Sequence, residues 1–358
     1  MIMRGTFAVC GLLGCVSPTA AEAEVDDVHA IVLLYHHVGD DTPLSTSVKP
    51  DVFEAHLDYL AEHDYTVLGL EHIVAALVDD EALPARSVAL TFDDAYVSIY
   101  NEALPRLERR SWPFTVFVAT DGVDRGYSDL MSWDQLRDLE SRGGSIANHT
   151  TDHSHLVRLA TGEDLETWRL TTRARIEDAQ ARLDAELDHP LRLLAYPYGE
   201  FDGPLEALAE ELGYLAFGQQ SGPIGRSSPT RQLPRFPITT GFDDLDSLAE
   251  KLRTRALPVT VLAPESRVLG PSAAAPTLQL RIPAGDYRRD ALQCYVTGQQ
   301  PARIDWRGDV ATIRAQRALG SGRSKFNCTA PSAQVAGVFY WYSYLWIQPR
   351  DDGSWYSN

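Results

Sequence analysis

The chain has 358 residues, with 44% hydrophobic and 23% charged side chains, proportions of a globular protein large enough for one sizeable domain and a small one. Its net charge of -18 argues against nucleic-acid and anionic-membrane partners, which select basic surfaces.

Arg4 precedes an apolar run from Thr6 to Val16, followed by Ser17-Pro18 and the small-residue site Ala21-Glu22-Ala23. This pattern predicts a secretory leader over residues 1–23, too short for a membrane span. Leu12-Leu13-Gly14-Cys15 also resembles a bacterial lipoprotein cleavage box, which would anchor the chain by lipid at Cys15. No later segment reads as a transmembrane span. An exported chain in the periplasm, in the cell envelope or outside the cell is the expectation. There Cys294 and Cys328 are expected to form a disulfide, worth about 3–4 kcal/mol on the loop-entropy model. Nothing in the sequence sets the oligomeric state.

From residue 31 to about 262, strand-like and helix-like segments alternate. Ile31-Val32-Leu33-Leu34 is a short apolar strand candidate ending in Tyr35-His36-His37. Phe53, Leu57 and Leu60 recur at helical spacing, and a second amphipathic segment runs from Leu70 to Val78. Val88–Phe92 reads as a buried strand closing on Asp93-Asp94. A helical stretch interrupted at Pro105 leads to the strand Phe114–Val118. Ser132 and Gln135 make a capping box, and that helix stops near Gly143-Gly144. Ser145-Ile146-Ala147 runs into His149-Thr150-Thr151-Asp152-His153. A long charged helix spans about 163–187, Leu191 to Ala195 forms a strand, and Gly203 to Gly213 is helical. This rhythm predicts an α/β fold, an irregular (β/α) barrel over residues 30–262. Each polar motif follows a strand, where such barrels gather reactive groups. Residues 263–276, rich in Pro, Ala and Ser, read as a linker, and 277–358 as a small β domain.

One carboxylate and two histidines suffice to hold a divalent metal with positions left open, and a second carboxylate is then free for proton transfer. The Asp93-Asp94 pair and the His149–His153 pair supply both. Either His36 or His37 suits a general acid at a strand end. Tyr196-Pro197-Tyr198-Gly199 reads as a turn whose backbone N–H groups face a pocket. His155 is a third histidine in the loop, read as a support for the others.

Together these motifs resemble the polysaccharide deacetylases, carbohydrate esterase family 4 with its NodB-homology domain, over residues 30–260. The resemblance implies that Asp93 is the base, that Asp94, His149 and His153 hold the metal, and that Tyr198 donates its backbone N–H to the oxyanion. Tyr196 and Pro197 would shape the substrate site, and Trp133 would wall it. Two departures stand out. Ala195 occupies the place of the arginine that usually pairs with the base, for which Arg235 is the candidate substitute. The Leu-x-His motif comes first, as Leu34-Tyr35-His36, resembling the poly-β-1,6-N-acetylglucosamine N-deacetylase branch and favouring His36 as the acid. Zinc leads the expected metals, with cobalt, nickel, manganese and iron compatible.

The implied reaction is removal of N-acetyl groups from an extracellular or cell-wall polysaccharide. Two other readings share these residues: an impaired deacetylase that only binds glycan, and an Fe(II) oxygenase using the same two histidines and carboxylate. In the C-terminal domain, Tyr340, Tyr342, Tyr344 and Trp346 alternate on one strand face, an expected aromatic platform for sugar.

Overall fold

The computed structural model describes residues 28–160 and 162–357. The expected leader, with Cys15, lies outside the described residues.

Six parallel strands form a curled sheet in the order His29–Tyr35, Ser87–Asp93, Phe114–Val118, Gly144–Asn148, Leu191–Ala195 and Leu215–Phe217. The irregular segment 233–237 closes the ring. Leu233 pairs with Phe217, and Phe236–Pro237 pairs in parallel with Leu33 and Leu34. The predicted irregular barrel is therefore the observed one.

The two-residue period of these strands sorts their side chains. Ala30, Val32, Ala89, Phe117, Ala147, Leu193, Ala195, Phe217 and Leu233 fill an inner cluster, onto which the helix Leu70–Asp79 also packs. The intervening Ile31, Leu33, Val88, Leu90, Phe92, Val116, Val118 and Ile146 form an outer layer. The helices Pro50–Glu62, Trp133–Ser141 and Leu245–Leu252 cover that layer with Phe53, Leu57, Leu136, Leu139 and Leu248. The same alternation directs Asp93 and His149 inward at the carboxyl ends of their strands. The helical stretch broken at Pro105 is a π-helical turn, Ile99–Ala103, followed by Leu104–Glu108.

The C-terminal region is a sandwich of two four-stranded sheets around one core containing Leu278, Leu280, Ile313, Phe326 and Trp346. One sheet orders Thr260–Ala263, Thr277–Arg281, Val310–Arg314 and Arg303–Arg307. The other orders Arg255–Ala256, Phe339–Gln348, Gly322–Pro331 and Gln293–Val296. Cys294 and Cys328 face each other across this second sheet and are disulfide-bonded.

Two expectations need correction. Residues 255–262, assigned to the barrel from sequence, include strands that pair with the sandwich, so the second unit begins nearer 255 than 277. The stretch read as a linker is tied down as well, through backbone hydrogen bonds of Arg267 and Leu269 to Ile347. Its Pro, Ala and Ser content signals irregular backbone, not a free tether.

Candidate active site

Val88–Phe92 is apolar because both sheet faces are covered, and the strand delivers Asp93 fully buried. Beyond it the chain turns sharply. Asp94 and Ala95 adopt φ of 75° and 55°, and Thr150, His153 and Tyr198 are also left-handed, at 70°, 54° and 60°. Five non-glycine residues in this costly region around one rim are backbone strain concentrated where side chains must be aimed.

Asp94 Oδ1 lies 3.4 Å from His149 Nε2 and 3.2 Å from His153 Nε2. One ligand atom from each of the three residues lies within 4.8 Å of the others. His149 Nδ1 donates to the Ala195 carbonyl at 2.7 Å, which turns the Nε2 lone pair toward Asp94 and His153. That Nε2 is buried without a hydrogen-bond partner among the described residues. A lone pair so placed suits a cation. Burial works to raise the Asp94 pKa, but the close His149 and His153 rings hold it well below the carboxylate range. Burial lowers His153 to about 4, with His149 adding to the effect. For His149 burial is outweighed by Asp93 and Asp94, and its pKa is raised.

Arg235 meets Asp93 in a fully buried bidentate pair, Nη1 to Oδ1 at 2.7 Å and Nη2 to Oδ2 at 2.8 Å. Its Nε donates to the Gly218 carbonyl at 3.0 Å, and Phe117 lies beneath the guanidinium. Burial pushes the Asp93 pKa up; Arg235 and then His149 outweigh it, and the group stays ionised below its ordinary range. The arginine absent at position 195 thus has a counterpart from the segment that closes the barrel.

His36 lines the cleft, and its buried Nδ1 makes no hydrogen bond among the described residues. Burial lowers its pKa, with Asp93 and Asp94 opposing. His37 instead stacks on Tyr96 with ring centroids 3.6 Å apart. Tyr198 stacks on His155 at 3.8 Å and meets His153 edge-on at 4.4 Å. His155 in turn bonds the buried Glu200 at 2.8 Å, which also accepts from Tyr356 and Arg158. Gly199 has φ of 67°, and a Cβ there would sit 2.5 Å from Gln219, so the 197–199 and 218–220 loops approach as only glycine permits. Tyr196 is buried, its hydroxyl donating to the Arg231 carbonyl, and Pro197 begins the turn.

His36, Asp94, His153, Tyr198 and Gly199 line a cleft of about 1070 Å³, whereas the buried Tyr196 and Pro197, expected to shape the substrate site, are not among its lining residues. Trp133 is not among its lining residues. Its indole N–H donates to Asp124 at 2.8 Å and Arg182 covers its face, because the capping box at Ser132 starts a helix that carries the ring outward. The expected Tyr340–Trp346 platform is also corrected. Tyr344 and Trp346 are 2% and 1% exposed in the sandwich core, with Tyr340 and Tyr342 packed beside them. The opposite face of that strand reaches the cleft, through Trp341 and Leu345. Sequence reasoning missed Trp341, Glu200, Gln219 and Arg323. None belongs to a motif; for Trp341 the only signal was its place in an alternating aromatic strand, read in the wrong phase.

A polysaccharide deacetylase family model matches residues 80–217. A poly-beta-1,6-N-acetyl-D-glucosamine N-deacetylase of Escherichia coli (strain K12) is 27% identical over 261 residues, 63% of this chain but 38% of that protein. One from Staphylococcus epidermidis is 24% identical over 229 residues, 59% of this chain and 79% of that protein. Among solved structures, the Streptococcus pyogenes deacetylase PplD shares the fold with a TM-score of 0.58 at 24% identity, covering 63% of this chain and 99% of that one. IcaB from Ammonifex degensii does so at 0.56 and 23%, covering 63% and 97%. The chain thus spans about two-fifths of its Escherichia coli relative. Residues 80–217 of the barrel thus match the polysaccharide deacetylase family, and the barrel has the fold of solved deacetylases.

Proposed function

We propose that the protein is a metal-dependent hydrolase that removes N-acetyl groups from N-acetylglucosamine residues of an extracellular polysaccharide, with a β-1,6-linked polymer the first candidate. One observation carries the reading: a two-histidine, one-carboxylate cluster, of which Asp94 and His153 line the cleft, adjoins a second carboxylate locked by a buried arginine. The names of the relatives support the choice of glycan, and the leader-like sequence of residues 1–23 and the disulfide support export.

Asp94, His149 and His153 would hold the cation, and the inward Nε2 of His149 fits that role. Two nitrogens and a carboxylate suit zinc first, and accept cobalt, nickel, manganese or iron. When bound, the ion supplies Lewis acidity, polarising the amide carbonyl and bringing the pKa of water from about 15.7 towards about 7. Asp93, ionised and held in one orientation by Arg235, takes the proton of the attacking water. The backbone N–H of Tyr198, on a loop braced by His155 and Gln219, stabilises the oxyanion. His36 hands a proton to the departing amine.

The lowered His36 pKa favours a second route for that last step. A carboxyl held down by Arg235 is a weak base but a strong acid, so Asp93 can return its own proton while neutral His36 donates a hydrogen bond. The pH profile separates the routes, since only the first needs a cationic imidazole. The glycan-binding reading drew its weight from the absent arginine, and the Arg235–Asp93 pair removes that reason.

The test is acetate release from β-1,6- and β-1,4-linked N-acetylglucosamine oligomers and peptidoglycan, by metal-stripped protein reloaded with each ion. Sugar binding without acetate under every metal would sink the reading, as would turnover that requires oxygen.

A further inference from the structure

The strands Gly322–Pro331 and Phe339–Gln348 pair over their whole length, and their alternation gives the ribbon two faces. One face enters the sandwich core through Phe326, Tyr344 and Trp346. The other meets the barrel, where Leu345 and Ile347 join a cluster with Leu156 and Phe201.

Two polar ties fix this face against the reacting centre. Arg323 Nη1 donates to the Tyr198 carbonyl at 2.7 Å, and Lys325 Nζ donates to the Gln219 carbonyl. Gln219 itself reaches Asp93 Oδ2 at 3.5 Å. A wall bonded to both loops is held in register with Asp93 and the His149–His153 cluster, as a preorganised site requires.

On this wall Trp341 packs edge-on against Phe236 at 5.4 Å. Its Nε1 donates to Ser343 Oγ at 2.8 Å, and Ser343 Oγ donates to Asn327 Oδ1 at 2.7 Å. The chain of bonds fixes the indole and assigns the Asn327 amide, whose Nδ2 has no hydrogen-bond partner among the described residues. Trp341 and Asn327 line the same cleft as Asp94 and His36. An aromatic ring with amide donors beside it matches a pyranose, which offers an apolar face and oxygen acceptors at its rim. The neighbouring Arg323 and Lys325 disfavour an ammonium group, hence a sugar still acetylated.

We infer that the C-terminal sandwich completes the catalytic cleft with a sugar subsite, Trp341 stacking on and Asn327 hydrogen-bonding to an N-acetylhexosamine unit flanking the one deacetylated. The inference rests on the deacetylase reading of the barrel. It makes the second domain part of the active site, with longer oligomers the better substrates.

The experiment compares zinc-loaded wild type, Trp341→Ala, Trp341→Phe and Asn327→Ala on β-1,6-linked N-acetylglucosamine oligomers from monomer to pentamer, with oligomer binding measured by calorimetry. In wild type kcat/KM rises with length. Trp341→Ala flattens that rise, losing about tenfold at the pentamer through KM, and Trp341→Phe restores part of it. Asn327→Ala, which leaves the Phe236 contact intact, shows a smaller loss of the same kind. Equal losses at every length, or none, overturn the subsite. Failure of wild type to release acetate from any oligomer contradicts the deacetylase reading alone. In that case weaker pentamer binding by Trp341→Ala and Asn327→Ala supports the subsite, and unaltered binding overturns it.

Discussion

Arg235→Met removes the cation that faces Asp93 and keeps most of the side-chain volume. Both partners are 0% exposed, and the pair is bidentate, at 2.7 and 2.8 Å. The variant leaves a buried carboxylate without its counter-charge, a change that costs about 3–5 kcal/mol. The pH dependence has a definite sign. In the wild type the Asp93 pKa is lowered on folding, so the stability it contributes is present above the unfolded value and lost as pH falls through the folded one. In the variant burial dominates, the folded pKa rises above the unfolded one, and stability returns as acid protonates the group. The gap between the two proteins is therefore largest near neutral pH and shrinks on acidification. Urea denaturation of chelator-treated protein at about pH 7.5 and about pH 5 measures it. Arg235→Lys keeps the charge without the planar fork and falls between. A gap below about 1 kcal/mol, the worth of an exposed ion pair, or one that widens in acid, would refute the reasoning.

Other expectations follow from the same geometry. Replacing His149 by Ala or Asp94 by Asn reduces zinc per chain towards zero in elemental analysis of dialysed protein, whereas His37→Ala leaves it unaltered. His36→Ala lowers kcat for acetate release by about 10²–10⁴-fold. His37→Ala, which loses a ring stacked on Tyr96 and its 3.5 Å contact with Ser98 Oγ, should lower it by less than about tenfold. Serine at both Cys294 and Cys328, 34 residues apart, destabilises the protein by about 3–4 kcal/mol; an unaltered denaturation midpoint would contradict a native disulfide. Trp346→Ala, in the sandwich core, costs about 3–5 kcal/mol of stability, in contrast to the length-dependent catalytic loss expected at Trp341.

The barrel was legible because its strands are short apolar runs ending in polar motifs, a local pattern that needs no knowledge of neighbours. Asp93, Asp94, His149 and His153 were legible for the same reason, each sitting within a few residues of a strand end. The role of Arg235 was half legible: a gap at position 195 calls for an arginine, but only closure of the ring by segment 233–237 brings position 235 to Asp93. The phase of the Phe339–Gln348 strand was not legible. Both its faces are aromatic and both are covered, one by the sandwich and one by the barrel, so period alone cannot say which is which. Trp133 was misplaced by a motif whose neighbours direct the ring elsewhere, into Asp124 and Arg182. Glu200 and Gln219 act only through contacts between loops far apart in the chain, which no spacing rule reports.

The most direct test of the account is acetate release from β-1,6-linked N-acetylglucosamine oligomers by wild type and Asp93→Asn, each stripped of metal and then reloaded with zinc. The account predicts release by reloaded wild type alone, with Asp93→Asn still binding one zinc per chain but losing nearly all turnover. Comparable release by Asp93→Asn, or by the stripped wild type, would contradict it.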